Sequence, residues 1–310
     1  MAHDIRVLVP TSDRSDLLER TLRSLAECQR PAGFREAVVV ENGKQRAGED
    51  LLRRLADRLP LRYLHVAETG KNRALNRGLD GLPDDCLVIF ADNDVRFAPD
   101  WLAGYAAAAE DTPGGLYFGG PTGVDYQQPP PEWLRPYLPP SAVGWNPADD
   151  DPNLRDGMFL GFNWAAFVGD VRKAGMFDPS LGPGTGAKTG DEPDIQRRLQ
   201  GVGVQPCFLQ HAMVWHYVPQ DRCSPDFAID RWYRSSILHG RQQFVPDAKT
   251  LFGVPRYRFR KLCGQWWRCA LRQMFSRDEI ARFRARFQSA RFRGLLRGMY
   301  LASKEQRAAK

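Results

Sequence analysis

Cys86-Leu87-Val88-Ile89-Phe90-Ala91-Asp92-Asn93-Asp94 is the stretch whose reading decides the fold of this chain. Its first five residues are uniformly apolar, as in a strand covered on both faces within a parallel sheet. It then ends in two carboxylates one residue apart. Open α/β sheets bind their ligands at the carboxyl ends of their strands. Two hard oxygen donors there suit Mg²⁺ or Mn²⁺ held against a diphosphate. Acidic turns after strands are common, so the tripeptide gains weight only from its surroundings.

Upstream, apolar runs at residues 5–9, 37–40 and 61–66 alternate with helical periodicity. Leu17, Leu18, Thr21, Leu22 and Leu25 share one helical face, with Asp16 and Glu19 spaced as a capping box. Leu51, Leu52, Leu55 and Leu59 form another face, and residues 71–79 a short helix. The alternation predicts an α/β fold: a Rossmann-like, mixed but mostly parallel sheet flanked by helices. Three polar tips then fall on one sheet edge: residues 10–14, Glu41-Asn42-Gly43, and Asp92-Asn93-Asp94. The segment from Gly70 to Gly78 sets amides and cations at a helix start, where an anionic or polar ligand fits.

After Trp101 an alanine-rich helix runs to near Asp111 and breaks at Pro113-Gly114-Gly115. Residues 127–152 are dense in Pro, Trp and Asp and predict an ordered surface excursion without regular structure. The 310 residues suffice for one large α/β domain with an appendage. The expected division is 1–245, with a nucleotide-binding half at 1–110 and an acceptor half at 111–245, followed by 246–310. Residues 5–9 form too short an apolar run for a secretory signal, and no run reaches the roughly 18 residues that cross a bilayer. The six cysteines show no C-x-x-C spacing and read as reduced thiols. A cytoplasmic protein is expected.

Four further segments complete a pattern: Gly161-Phe162-Asn163, Gly175-Met176-Phe177-Asp178, residues 190–199 (Gly-Asp-Glu-Pro-Asp-Ile-Gln-Arg-Arg-Leu), and Val214-Trp215-His216. Together with the three tips and the Gly70 segment they resemble the GT-A glycosyltransferases, specifically family 2 of inverting, nucleotide-sugar-dependent enzymes. The resemblance covers about residues 5–220. It departs from the family pattern at Glu41, where Asp is usual, and at Leu75, where Arg is frequent. In residues 190–199 the two leading acids are swapped.

The resemblance implies sugar transfer from a nucleoside diphosphate donor, UDP foremost, to a glycan, lipid-linked or small-molecule acceptor. It implies Mn²⁺ or Mg²⁺ held by Asp94, Asp92 and His216. It implies donor contacts from Pro10, Thr11, Arg14, Glu41, Asn42, Lys71, Asn72, Asn76 and Asp92. Glu192 aligns with the catalytic base, and Asp191 stands as the alternative. Asn163, Trp164 and Trp133 are the candidates for the acceptor side. The residue types suit the chemistry, since a diphosphate leaving group needs cations and the attacking hydroxyl needs a carboxylate base. Simpler readings stand beside these: His216 as a packed core residue, Asp194 as a helix cap, and the tryptophans as core. The loop at 181–186 has the composition of a lid or of a long glycine turn. Two rivals share the sheet. A sugar-phosphate nucleotidyltransferase would need a Gly-rich first loop, which residues 9–14 are not, and a non-catalytic binding module would not need the acids.

The net charge of +7 is uneven. Residues 251–310 hold sixteen Lys/Arg against Asp278, Glu279 and Glu305, a balance of +13 that leaves −6 for the rest. Ser276 and Glu279 are spaced as a capping box, and the apolar phase slips near residues 291–294, predicting two helices or a kink. This basic helical extension is expected to pack within the molecule or in a homodimer. An anionic membrane surface is the second reading, and nucleic acid is not expected.

Overall fold

A computed structural model describes residues 3–12, 15–44, 46, 48–110, 112, 114–146, 158–185, 190–243, 250–251 and 254–308. Along the chain β1 (Ile5–Thr11), α1 (Ser15–Ala26), β2 (Phe34–Asn42), α2 (Gly48–Leu55), β3 (Leu61–Val66), α3 (Lys71–Leu79) and β4 (Leu87–Phe90) alternate as the apolar runs require. They are followed by β5 (Val95–Phe97), α4 (Trp101–Ala109), β6 (Leu116–Gly119), β7 (Thr122–Tyr126), α5 (Pro140–Val143), β8 (Trp164–Phe167), α6 (Val168–Lys173), α7 (Asp191–Gly201), β9 (Gln205–Phe208) and β10 (Val214–Val218). A seven-stranded sheet has the order β3-β2-β1-β4-β8-β6-β9. β1 to β4 pair in parallel, β8 runs antiparallel to β4 and β6, and β9 pairs parallel with β6. The tips of β1, β2 and β4 therefore share one edge, as the apolar runs predict.

Alternate residues of the central strands feed two cores. Val7, Val9, Val39, Leu87 and Ile89 pack with Leu18, Leu22, Leu51, Trp101 and Tyr105 on one face. Leu8, Val38, Val40, Val88 and Phe90 pack with Leu75, Leu79, Trp164, Ile195 and Leu199 on the other. Each such large side chain, once fully buried, stabilises by roughly 1.5–3 kcal/mol. A second, three-stranded sheet has the order β5-β10-β7. Its antiparallel register sets His216 opposite Val95, the residue after Asp94.

The chain divides into two compact units, Met1–Asp125 with Val143–Tyr217, and Tyr126–Ala142 with Val218–Lys310. The boundary expected at 245 lies outside the described residues. The second unit holds α8 (Pro225–Gln242), β11 (Thr250–Leu251), β12 (Val254–Pro255), α9 (Arg256–Phe275) and α10 (Glu279–Ala308). Ser224 caps α8, its Oγ accepting from the Phe227 amide at 3.1 Å. Part of the 127–152 excursion is regular: residues Glu132–Tyr137 form a 3-10 helix, and Trp145 bridges to Thr122. Residues 147–152 lie outside the described set.

Three local expectations need correction. α10 is one continuous helix of 30 residues, so the two-helix alternative is not formed. At the phase slip its contact face with α8 carries glycines. A Cβ on Gly294 would stand 2.3 Å from the Tyr233 carbonyl oxygen, and one on Gly298 2.0 Å from that of Ile237. Close backbone approach replaces large apolar contacts there. The cap of α10 is Asp278, whose Oδ1 accepts from the Ile280 and Ala281 amides at 2.8 and 3.2 Å, while Glu279 faces Arg282. In α1, Glu19 accepts from Arg23 at 2.5 Å, an i,i+4 pair in place of the expected capping box. All six cysteines are free thiols, and among the described residues no helix is long and apolar enough to cross a membrane.

Candidate active site

The edge formed by β1, β2 and β4 is first a scaffold of amides and hydroxyls. Asn42 donates to the Thr11 carbonyl at 2.8 Å and accepts from the Gly70 amide at 3.0 Å, tying β1 to the start of α3. Asn93 donates to Thr11 Oγ1 at 2.7 Å. Glu41 is 2% exposed, and its Oε2 accepts from Tyr63 OH at 2.6 Å and from the Gly48 amide at 3.0 Å. Pro10 is buried in β1 opposite Val40. Asn72 donates to the Asp178 carbonyl at 2.7 Å. Asn76 donates to the Phe177 carbonyl at 2.8 Å and accepts from its amide at 3.0 Å. Of the expected donor contacts, Thr11, Glu41, Asn42, Asn72 and Asn76 thus hold the loops of this edge together, while Asn72 Oδ1 is buried without a hydrogen-bond partner. Their hydrogen bonds satisfy buried backbone and hydroxyl groups that would otherwise cost about 1–3 kcal/mol each. Arg14 lies outside the described residues.

The charged residues behave differently. Lys71 Nζ, on the first turn of α3, stands 2.7 Å from Asp92 Oδ1 and 3.5 Å from Glu192 Oε1. One ammonium thus joins the acidic turn after β4 to the first turn of α7. Burial alone would lower the Lys71 pKa, but the charges of Asp92, Glu192 and Asp191 outweigh it and hold the ammonium protonated. Burial raises Asp92, with the Asp94 and Glu192 charges adding and Lys71 opposing. Asp191 is 3% exposed, and burial together with the Glu192 charge pushes it up to about 8.

Glu192 lies across a glycine. A Cβ on Gly161 would stand 2.1 Å from Glu192 Cγ and 2.1 Å from its Oε1. Gln196, fully buried one turn along α7, accepts from the Phe159 amide at 2.7 Å and donates to its carbonyl at 3.1 Å, locking α7 against that segment. Asp194, expected as a helix cap, pairs with Arg198 at 2.6 Å. Arg198 in turn donates to the Ala174 carbonyl and, at 2.7 Å, to that of Met176. The Lys71 amide donates to the Pro183 carbonyl at 3.1 Å, so the described part of the glycine-rich loop rests on the start of α3.

Asp94 is 7% exposed and faces His216 Nε2 at 3.5 Å. The His216 ring is stacked on Phe162, centroids 4.8 Å apart. Asp92 is engaged by Lys71, and among the described residues no group of three or more His, Cys, Asp or Glu is arranged to hold a metal ion. One carboxylate and one imidazole nonetheless fit Mg²⁺ or Mn²⁺ that takes its other ligands from a diphosphate, the usual manner of Mg²⁺ at phosphate sites.

The acceptor expectations for Asn163 and Trp164 are corrected. Asn163 has no exposed surface. Its Oδ1 accepts from Trp101 Nε1 at 2.8 Å and Tyr105 OH at 2.9 Å, and its Nδ2 donates to the Pro121 and Ala212 carbonyls at 2.9 and 2.8 Å. Trp164 is 1% exposed and stacked on Phe90 at 4.4 Å. Trp133 belongs to the second unit, where it meets Phe283 edge-on at 5.2 Å. Sequence reasoning missed Gln196 and Thr21. Thr21 Oγ1 donates to the Val95 carbonyl and accepts from its amide, pinning the chain just after Asp94. The signal was present, because a hydroxyl on the leucine face of α1 needs a buried partner.

Comparison with known proteins agrees with this geometry. The sequence profile of the family described as "Glycosyl transferase family 2" matches residues 6–167, more than half of the chain. The succinoglycan biosynthesis protein ExoM of Rhizobium meliloti (strain 1021) is 27% identical over 241 residues, covering 76% of this chain and 74% of that one. A validoxylamine A glucosyltransferase of Streptomyces hygroscopicus subsp. limoneus is 33% identical over 131 residues, 41% of this chain but only 29% of that protein. In fold the chain resembles the mannosyltransferase PcManGT from Pyrobaculum calidifontis, solved with GDP-Man and Mn²⁺. The TM-score is 0.54 at 17% identity, over 99% of this chain and 88% of that one. With a mostly parallel sheet, its polar strand tips on one edge and a family match over residues 6–167, the chain belongs to glycosyl transferase family 2 and is a glycosyltransferase of the GT-A fold.

Proposed function

We propose that this enzyme moves a sugar from a nucleoside diphosphate donor, UDP foremost, to an acceptor hydroxyl with inversion, using Glu192 as base and a divalent cation. The observation that carries the reading is the meeting of Asp92, Lys71 and Glu192 around one ammonium. In a single displacement the hydroxyl attacks C1 from the face opposite the diphosphate, and its proton passes to Glu192. The Lys71 ammonium neutralises charge as it develops on the leaving diphosphate. Burial and the neighbouring Glu192 raise the Asp191 pKa to about 8, so this acid pair holds a proton near neutral pH. Mn²⁺ or Mg²⁺, held by Asp94 and His216, would supply Lewis-acid neutralisation of the same diphosphate. The named relatives act in polysaccharide biosynthesis and on a small natural product, which supports a glycan, lipid-linked or small-molecule carrier here.

A thermal-shift series with UDP, GDP and dTDP, each with and without Mn²⁺, tests the reading. One diphosphate is expected to raise the melting temperature by about 5 °C at saturation, with Mn²⁺ only. Its sugar conjugate should then release nucleotide in an acceptor-dependent reaction. Binding without release from any donor in a broad panel would reduce the chain to a binding module.

A further inference from the structure

Seven large apolar side chains stand exposed among the described residues, and five of them lie on α9: Trp266, Trp267, Leu271, Met274 and Phe275. Both tryptophans are about 60% exposed, and Met274 and Phe275 are 74% exposed. Trp267, Leu271, Met274 and Phe275 recur at i, i+4, i+7 and i+8, so they share one helical stripe. A contiguous apolar stripe of this kind marks an interaction surface.

The same helix carries six cations, Arg256, Arg258, Arg260, Lys261, Arg268 and Arg272, and no acid. Among the described residues, Arg256, Arg260, Arg268 and Arg272 form no ion pair. A cavity of about 410 Å³ lies beside α9 in the same unit. Its wall is apolar, formed by Tyr233, Val254, Phe259 and Leu296, with Arg293 and Arg297 also lining it.

We propose that α9 is a membrane-surface anchor. It lies flat in the headgroup layer of a bilayer rich in anionic phospholipid, its tryptophan–methionine–phenylalanine stripe facing the acyl chains and its guanidinium groups on lipid phosphates. Helices of this composition partition into the interface, where tryptophan sits at headgroup depth and each cation adds electrostatic attraction. Charge decides between occupants. A second copy meeting α9 face to face would oppose two tails of +13 each. A nucleic acid would match the arginines but leave Leu271 and Met274 without purpose, since neither phosphates nor bases need that aliphatic area. The inference is read from α9 and the basic extension around it and does not depend on the proposed chemistry of transfer.

The full chain should float with vesicles of phosphatidylcholine mixed with phosphatidylglycerol, and not with phosphatidylcholine alone. Added salt should release it, and binding should shift tryptophan emission to the blue. Trp266→Ser with Trp267→Ser should abolish both flotation and the emission shift. Arg268→Gln with Arg272→Gln should weaken partition about 30-fold, at roughly one unit of electrostatic attraction per charge. All four positions lie on a solvated helix surface, so melting curves should match the native protein. Equal flotation of the native protein with neutral and anionic vesicles, or none with either, would overturn the proposal. So would a dimer in light scattering that the tryptophan pair dissolves while vesicle binding persists, or tight binding of a labelled DNA duplex by protein that ignores vesicles.

Discussion

Glutamine at position 192 is expected to lower kcat by about 10²–10⁴-fold, the usual worth of a positioned base, with little change in donor KM. The amide keeps the shape that rests on Gly161, so the loss reports the missing proton acceptor and not a displaced α7. Asn at position 191 should retain at least a tenth of native turnover, because Asp191 is protonated at neutral pH and accepts no proton there. A dead Asp191→Asn beside an active Glu192→Gln would exchange the two roles. The neighbouring acid also leaves a mark on stability. The folded pKa of Asp191, about 8, lies well above the roughly 3.9 of an unfolded aspartate. The folded state therefore binds the extra proton between these values. Its contribution is fully present below about pH 4 and is lost as pH rises through 8. Melting temperature should fall across that window in the native protein, and Asp191→Asn should flatten the fall.

Methionine at Lys71 should harm both folding and turnover. Removing the ammonium leaves Asp92, Asp191 and Glu192 crowded without a cation. Breaking a fully buried pair costs about 3–5 kcal/mol. Asp92 and Glu192 keep 27% and 29% of their side-chain surface. Solvent screening therefore brings the expected loss nearer to about 2 kcal/mol, or about 5 °C in melting temperature. That deficit should shrink in acid, as the carboxylates take up protons. Transfer should drop by about 10²–10³-fold through lost neutralisation of the leaving group. Arg should restore the fold more fully than the rate, since a planar fork replaces a compact charge. A Lys71→Met enzyme that melts and turns over normally would remove the ammonium from the mechanism.

The parallel pairing of β1 to β4 and the shared edge of their tips were legible because parallel strands covered on both faces are written as unbroken apolar runs. That Asp92 and Glu192, far apart in the chain, come together was foreshadowed by acids at the end of a strand and at the start of a helix, and the structure joins them through Lys71. The asparagines were less legible. Asn42, Asn72, Asn76 and Asn163 sit in segments that read as ligand contacts, and in the structure each also joins neighbouring loops or strands. An amide can donate and accept at once, so it suits the joining of loops at a crowded edge as well as the binding of a ligand. Nothing in the local sequence separates the two uses. The α8–α10 seam was hidden for another reason. Gly240, Gly294 and Gly298 bring the backbones into close approach, so hydrophobic periodicity saw a slip where packing is close.

Gly161 has a practical consequence. The atoms an added methyl would strike belong to a flexible side chain, so the fold can absorb an alanine there by turning Glu192 aside. Every charged group would survive, yet the proton acceptor would point elsewhere. On the proposed role of Glu192, Gly161→Ala is therefore expected to lower transfer with little change in fold, leaving a variant suited to trapping donor and acceptor together.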